Sequence, residues 1–445
     1  MYSQEIQSLL KSKNISVGNR IRIRKKKTSY EGILMPKTDV GDPNCLVIKL
    51  DSGYNVGIRF EKGTEVRKLP EARELEKFPT RTFKIRSDLP KVSIIATGGT
   101  IASRVDYVTG GVQMALTPQE ILFAVPEVGD IINLENVRSI SSLASEDMGI
   151  SNWQKIAEEV AKELNKGVRG VVITHGTDTM HFSSAALSFM LKNLTKPVVL
   201  TGAQRSSDRG SSDSAMNLIC SSHVAGYSNI AEVGVCMHAE SSDTFNFFIR
   251  GTKVRKMHSS RRDTFRPIND LPIAKVWPSG KIEIVNEDYR KISKGRVEAD
   301  TKFEKKVALL KVYPGSDPEV VNYFVDRGFR GIVIEGTGLG HVPTNTDEKE
   351  NSWIPYVKSA VERGVAVVMT SQAFYGRVHP FVYRNLRILG ETGVIWGEDM
   401  LPETVYVKLG WVLGHEKKME KIRELMQKNL AGEITKQTDP RTFLM

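Results

Sequence analysis

KVSIIATGGTIAS, residues 91–103, decides the fold. Val92–Ala96 is a short apolar run that stops in Thr97-Gly98-Gly99-Thr100-Ile101. A continuous run of this length, closed by a glycine turn, marks a strand buried on both faces. The same grammar recurs at Gly170–Thr174, Pro197–Thr201 and Val233–Met237. Helical stretches separate the runs: Asn152–Lys166, with Trp153, Ile156, Val160 and Leu164 on one side, and Thr179–Lys192. Strands alternating with helices predict an α/β fold with a parallel sheet covered on both faces. The pattern pauses over 279–304, a charged stretch read as a link. It resumes at Val307–Val312, Gly331–Glu335 and Val365–Thr370 as a second, smaller α/β domain.

Before residue 91 the pattern is different. Residues 3–13 predict a short helix with Ser3 as its cap and Ile6, Leu9 and Leu10 as an apolar stripe. Arg20-Ile21-Arg22-Ile23-Arg24 alternates at period two, as a strand with one wet face does. Gly32, Pro36, Gly41-Asp42-Pro43, Asp51-Ser52-Gly53 and Gly57 punctuate short segments such as Cys45–Leu50. The expected organisation is therefore a small basic β-barrel over 1–70 and a linker over 71–90. An α/β domain with the active site over 91–278, a linker over 279–304 and a second α/β domain over 305–445 follow.

Of the 445 residues, 40% are hydrophobic and 26% charged, which excludes a disordered or collagen-like chain. The first residues carry no apolar signal core, and no run of 18 apolar residues occurs, so a soluble cytoplasmic protein with no membrane partner is expected. Three cysteines, Cys45, Cys220 and Cys236, lie far apart without a CxxC pair. They read as reduced, mostly buried thiols rather than a disulfide framework or a zinc site. Net charge is +11, and residues 1–88 hold 19 Lys and Arg against 11 Asp and Glu. The excess at Arg20, Arg22, Arg24 and Lys25–Lys27 reads first as a solvated strand face or a contact with a partner protein, and only second as a surface for an RNA.

Ligands of open α/β sheets bind at the carboxyl ends of strands. Three such ends are rich in hydroxyls: Thr97–Ile101, Thr174-His175-Gly176-Thr177-Asp178-Thr179 and Thr201-Gly202-Ala203-Gln204-Arg205. Glycines there free backbone N–H groups for an oxyanion or carboxylate. A threonine hydroxyl is a nucleophile once a base is near. Each motif alone has a structural reading too: Gly98-Gly99-Thr100 as a tight turn, Thr177-Asp178-Thr179 as a helix cap. No G-x-x-x-x-G-K-[ST] phosphate loop occurs, and Gly336-Thr337-Gly338-Leu339-Gly340 only partly matches a dinucleotide loop. No histidine pair has H-E-x-x-H spacing, and His175 and His181 read as packed or capping residues.

Taken in order, ATGGTIAS (96–103), Ser145-Glu146-Asp147-Met148, ITHGTDTM (173–180), LTGAQR (200–205) and Val254-Arg255-Lys256-Met257 resemble the L-asparaginase / glutamine amidohydrolase family over residues 90–415. The resemblance implies two α/β domains of the asparaginase type and hydrolysis of a side-chain amide. It implies Thr100 as nucleophile, and Thr177, Asp178 and Lys256 as a second polar triad with Lys256 as base toward Thr177 or a water held by it. By the same resemblance, Ser145, Glu146 and Asp178 would bind the α-carboxylate and α-ammonium of the substrate. Gly99 and Ala203 lie in the substrate-binding turns, and Tyr107 resembles the family's lid tyrosine, though closer to the nucleophile. Which threonine attacks first stays open. The family's polar residues from the second domain have no clear match in Gly338-Leu339-Gly340-His341.

The N-terminal extension departs from free-standing asparaginases. Tyr30–Lys37 and Lys49–Ile58, with Tyr375-Gly376-Arg377-Val378 and Val405–His415, resemble the D-subunit family of archaeal glutamyl-tRNA(Gln) amidotransferases across nearly the whole chain. That resemblance implies ammonia release from glutamine, or asparagine, for transamidation of Glu-tRNA(Gln). The E subunit would activate the tRNA-bound glutamate with ATP and magnesium, in a heterotetramer of two D and two E subunits. This chain itself would hold no cofactor and no metal, and would form a homodimer through its asparaginase-like domains. The competing expectation is a free-standing cytoplasmic L-asparaginase with an extra N-terminal domain.

Overall fold

The computed structural model describes residues 2–26, 28–36, 42–50, 55–70, 86–98, 103–105, 112–114, 125–141, 143–205 and 211–444, with the side chains of 103–105 and 112–114 left out. The first helix, α1 (Gln4–Ser12), begins as expected, with the Ser3 hydroxyl accepting from the Ile6 amide. It lays Ile6 and Leu10 on a five-stranded antiparallel sheet of β1 (Arg20–Lys25), β2 (Thr28–Leu34), β3 (Cys45–Lys49), β4 (Asn55–Arg59) and β5 (Glu65–Lys68). Ile21, Ile23, Leu34, Leu46, Ile48 and Val66 fill the core beneath the helix with no exposed surface. The strand order is β4-β3-β2-β1-β5. Among the described residues no ladder joins β4 to β5, so the sheet is open there and the expected barrel is not closed. Of the expected linker 71–90, residues 71–85 lie outside the described residues.

The larger α/β unit is built on an eight-stranded sheet. Its strands are β6 (Lys91–Ala96), β7 (Asn133–Ser139), β8 (Gly170–Thr174), β9 (Val198–Thr201), β10 (Val233–His238) and β11 (Asn246–Arg250). After a small hairpin, β12 (Val254–Lys256) with β13 (Phe265–Pro267), come β14 (Ala274–Val276) and β15 (Ile282–Ile284). The order is β15-β14-β11-β10-β9-β8-β6-β7. The five strands from β7 to β10 are parallel, and β11, β14 and β15 extend the sheet antiparallel.

Side chains alternate between two cores, as the pleat requires. Ile95, Val171, Ile173, Val198, Leu200, Val233 and Val235 face one side, under α2 (Ile150–Asn165) and α3 (Met180–Met190). Ile94, Val172, Val199 and Cys236 face the other, under α4 (Ser214–Tyr227). Trp153, Ile156, Val160 and Leu164 are buried on the inner side of α2, where the periodicity put them. Helix α3 ends at Met190, two residues short of the expected Lys192, because Leu191 and Lys192 pair antiparallel with Ala299 and Glu298. The stretch expected to link the domains thus supplies that short strand and also β15, whose Ile-Glu-Ile alternation suits a sheet edge. All three cysteines are free. Cys220 and Cys236 are buried, and burial pushes the Cys236 thiol up to about 12.

The second unit is a four-stranded parallel sheet of β16 (Val307–Lys311), β17 (Gly331–Gly336), β18 (Ala366–Ser371) and β19 (Ile395–Trp396) in sequential order. One face packs on α5 (Glu319–Asp326), α6 (Ile354–Glu362) and α7 (Arg384–Glu391), the other on α8 (Pro402–His415) and α9 (Met419–Gln427). Helix α8 also closes the first unit: Val407 joins the core over α2 and α3, and Tyr406 and Trp411 meet Phe182 and Phe189. It carries a fully buried cation, Lys408, paired with Glu433 at 2.6 Å and bonded to the Met426 and Lys428 carbonyls. Removing one partner of such a pair strands the other charge in the interior. Lys408→Met is therefore expected to cost about 3–5 kcal/mol in denaturant unfolding, and Lys408→Met with Glu433→Gln much less.

Candidate functional site

The carboxyl ends of β6, β8 and β9 are tied together beyond the last strand bonds. The Thr97 amide and hydroxyl both donate to the Thr174 carbonyl, at 3.1 and 3.0 Å. The His175 amide reaches the Thr201 carbonyl at 2.9 Å, and the Thr201 hydroxyl reaches the Cys236 carbonyl at 3.0 Å. Ser141, after β7, donates to the Thr97 carbonyl at 2.6 Å. Buried carbonyls at strand ends must find donors. Thr97 and Thr201 supply them, so much of the hydroxyl richness at these ends is backbone accounting rather than chemistry.

What remains converges on one place. Lys256, at the end of β12, donates from Nζ to Thr177 Oγ1 at 3.0 Å and to Asp178 Oδ1 at 2.6 Å. The lysine side chain is 9% exposed and the Asp178 side chain 65% exposed, so the triad opens to solvent on the carboxylate side. Thr179 occupies the N-cap position of α3, yet its hydroxyl does not cap the helix; it donates to the Ser145 carbonyl at 2.6 Å. The cap reading of Thr177-Asp178-Thr179 thus gives way to one in which all three side chains point to other loops.

Ser145 is buried in the 3-10 turn Ser145–Asp147 and rests on Gly176, where a Cβ would come within 2.8 Å of the Ser145 Cβ. Glu146 lies exposed on the same turn. Gly98 has φ +133, and a Cβ there would meet the Leu143 carbonyl oxygen at 2.0 Å, so only glycine brings this turn against the Ser145 loop. Ala203 is buried in the Thr201–Arg205 turn, and its neighbour Gly202 abuts the Thr177 methyl. Gly99, Thr100 and Tyr107 lie outside the described residues.

Sequence reasoning passed over the residues that hold the 201–205 turn. The Asp213 carboxylate accepts from the Gln204 and Arg205 amides and from Asn217 Nδ2; Asn217 Nδ2 also donates to the Gly202 carbonyl. Asn217 Oδ1 faces His238 Nδ1 at 2.6 Å and Asn246 Nδ2 at 2.9 Å. All four side chains are fully buried. The signal was present as an acid directly before α4, with an amide four residues later.

The two nearby histidines are packed, as expected. His175 is buried between the Gly176 carbonyl, 2.6 Å from Nδ1, and Ser183 Oγ, 2.8 Å from Nε2. Ser183 also accepts from Trp153 Nε1. Burial pulls the His175 pKa down to about 4. Burial pulls His181 to about 3, aided by the charges of Arg255 and Lys256. Among the described residues no group of three His, Cys, Asp or Glu could hold a metal ion, and no helix is long and apolar enough to cross a membrane.

Residues 91–290 match the family model "Asparaginase, N-terminal", 306–426 the "Glutaminase/Asparaginase C-terminal domain", and 15–69 the "GatD N-terminal domain". The chain is 54% identical to the glutamyl-tRNA(Gln) amidotransferase D subunit of Pyrococcus furiosus, over 99% of this chain and 100% of that one. It belongs to the D-subunit family of glutamyl-tRNA(Gln) amidotransferases. The D subunit of Thermococcus kodakarensis is 53% identical over 99% of both chains. A solved structure, the thermostable L-asparaginase from Thermococcus kodakarensis, superposes with a TM-score of 0.69 at 33% identity, covering 78% of this chain and 100% of that one.

His175 generates a pH prediction. It stays neutral in the fold down to about pH 4, whereas the unfolded chain protonates it near its ordinary value of about 6.5. The unfolded state binds the extra proton between those values, so stability is full above pH 6.5 and falls toward pH 4. Unfolding free energies of wild type and His175→Asn, measured across that window, are expected to diverge in slope by roughly 3 kcal/mol in total.

Proposed function

We propose that this chain is the ammonia-releasing subunit of a tRNA-dependent amidotransferase. It hydrolyses the side-chain amide of glutamine or asparagine. Its ammonia serves the conversion of Glu-tRNA(Gln) to Gln-tRNA(Gln) by a separate E-type subunit that uses ATP and magnesium. The observation that carries the reading is the Lys256–Thr177–Asp178 contact at 3.0 and 2.6 Å, set at the carboxyl edge of an asparaginase-type sheet. Full-length likeness to D-type chains, including the 15–69 match that the asparaginase superposition does not require, supports the amidotransferase setting.

In this reading Thr100 attacks the amide carbon. Lys256 takes a proton from Thr177 or from a water held by it, and Asp178 fixes its Nζ through one carboxylate oxygen. The second Asp178 oxygen takes the substrate α-ammonium, while Ser145 and Glu146 complete the amino-acid clamp. Amide N–H groups of the turn holding Gly99 stabilise the oxyanion, and Ala203 lines the substrate; each such donor is typically worth about 10²–10³ in rate. The Thr100 hydroxyl proton passes to the amide nitrogen, which leaves as ammonia; the water deprotonated through Lys256 then attacks the Thr100 ester, releasing the acid while Lys256 returns the proton to the threonine oxygen. Tyr107 is assigned to the lid. The working assembly is a homodimer through the two α/β domains, flanked by two E-type subunits in the cytoplasm. Domain limits at 70, 90 and 304 belong to the same proposal, with the first α/β unit running past 278 to take in β15.

The test is ammonia release from glutamine by the full-length chain, alone and then with the E-type partner and Glu-tRNA(Gln). Partner and charged tRNA should raise a rate that Thr100→Ala abolishes and Lys256→Ala lowers by roughly 10²- to 10⁴-fold. A chain that works fully on asparagine alone and ignores both additions is a free-standing asparaginase, and the proposal falls.

A further inference from the structure

Lys256 sits in the first α/β unit with the rest of the site, but the strand that carries it is bound to the second. Within Gly251–Lys256, Thr252, Lys253 and Arg255 each bond to that unit. The Thr252 carbonyl accepts from Thr404 Oγ1 at 3.0 Å, and the Thr252 hydroxyl donates to the Ala431 carbonyl at 3.1 Å. Lys253 and Asp399, both essentially unexposed, pair at 2.7 Å. Asp399 also accepts from the Thr435 amide and hydroxyl. Arg255 donates from Nη1 to both Glu403 oxygens, at 2.7 and 2.6 Å, with its guanidinium 4.4 Å from the Phe374 ring. Glu403 is 3% exposed, at the first turn of α8. Neighbouring residues of an extended strand point to opposite faces. Arg255 therefore turns to the second unit and Lys256 to Thr177, one residue apart on the same backbone.

We infer that Glu403 of the second unit is a positioning residue for the amide-hydrolysing site: by clamping Arg255 it sets where the Lys256 amine stands relative to Thr177 and Asp178. The inference rests on the amidohydrolase reading above. It adds that the second unit, which contributes no side chain to the Lys256–Thr177–Asp178 triad, fixes the third member of it. Sub-ångström placement of a proton acceptor is what such a clamp controls, and misplacement by about 1 Å costs on the order of 10²-fold in turnover.

The experiment measures glutamine turnover and melting temperature of the full-length chain, with partner and charged tRNA, for Arg255→Met, Glu403→Met, the double variant and Arg255→Lys. Arg255→Met leaves a buried, unpaired carboxylate and should melt early. The double variant removes both charges and should regain most of the lost melting temperature. Turnover should not return with it: kcat stays roughly 10- to 100-fold down while KM for glutamine barely moves. Since one nitrogen of Arg255 makes both bonds, a lysine ammonium can stand in, and Arg255→Lys should recover most of kcat. A double variant that regains kcat together with its melting temperature, or a loss confined to KM, overturns the inference. Lys256→Ala, run alongside, separates this from failure of the parent reading: turnover indifferent to Lys256 sinks both, whereas turnover lost in Lys256→Ala but restored in the double variant sinks the clamp alone.

Discussion

Carbonyls at the carboxyl edge of a buried parallel sheet have no further strand to accept from, and this constraint organises the first α/β unit. Thr97, Ser141 and Thr201 answer it with side-chain hydroxyls, and His175 with its amide. Once those carbonyls are satisfied, the turns that follow are fixed in space and their remaining groups are free to do chemistry. Thr177 and Asp178 are such groups, and so is Ser145, held through its carbonyl by Thr179. The same residue types thus serve two purposes within a few positions of each other, and only position relative to the sheet edge tells them apart.

A second theme is the concentration of buried charge where the two α/β units meet. Lys253 with Asp399, Arg255 with Glu403, and Lys408 with Glu433 all have at least one partner almost without exposure. Nearby, Arg250 is shared between Glu232 and Asp270 at 3.1 and 3.2 Å. Burial pulls the ammonium pKa of Lys253 and Lys408 down and pushes the Asp270 and Glu403 carboxyls up, so desolvation is felt on both sides of the seam. Buried ion pairs stabilise weakly compared with an apolar seam but tolerate few alternative geometries. A joint beside the Lys256–Thr177–Asp178 contact is a place where fixed geometry matters more than added stability.

The N-terminal sheet tempers the reading of its charge. Arg22 pairs with Glu31 at 2.6 Å, and on β5 Arg67 and Glu65 stand opposite Arg22 and Arg24. Lys25 pairs with Glu61. The basic run in sequence becomes, once β2 and β5 lie beside β1, a surface of mixed sign at this position.

The alternation of strand and helix, the two-faced burial of Val171, Val172 and Ile173, the capped first helix and the candidate residues Thr177, Asp178, Lys256 and Ser145 were all legible in the sequence. Local physics determines the strands, helices and hydroxyl-rich strand ends, since period-two and period-3.6 burial and glycine turns need no knowledge of distant partners, whereas Lys256 and Ser145 were legible only through the resemblance to the asparaginase family. The end of α3 at Met190, the open order of the N-terminal sheet and the packed fate of Thr97 and Thr201 were decided by pairing between segments far apart in the chain. So was the Arg255–Glu403 contact, whose partners are 148 residues apart. No periodicity records that separation. A buried charge finds its counter-charge only when two units close around it, and only the tertiary structure says which one it found.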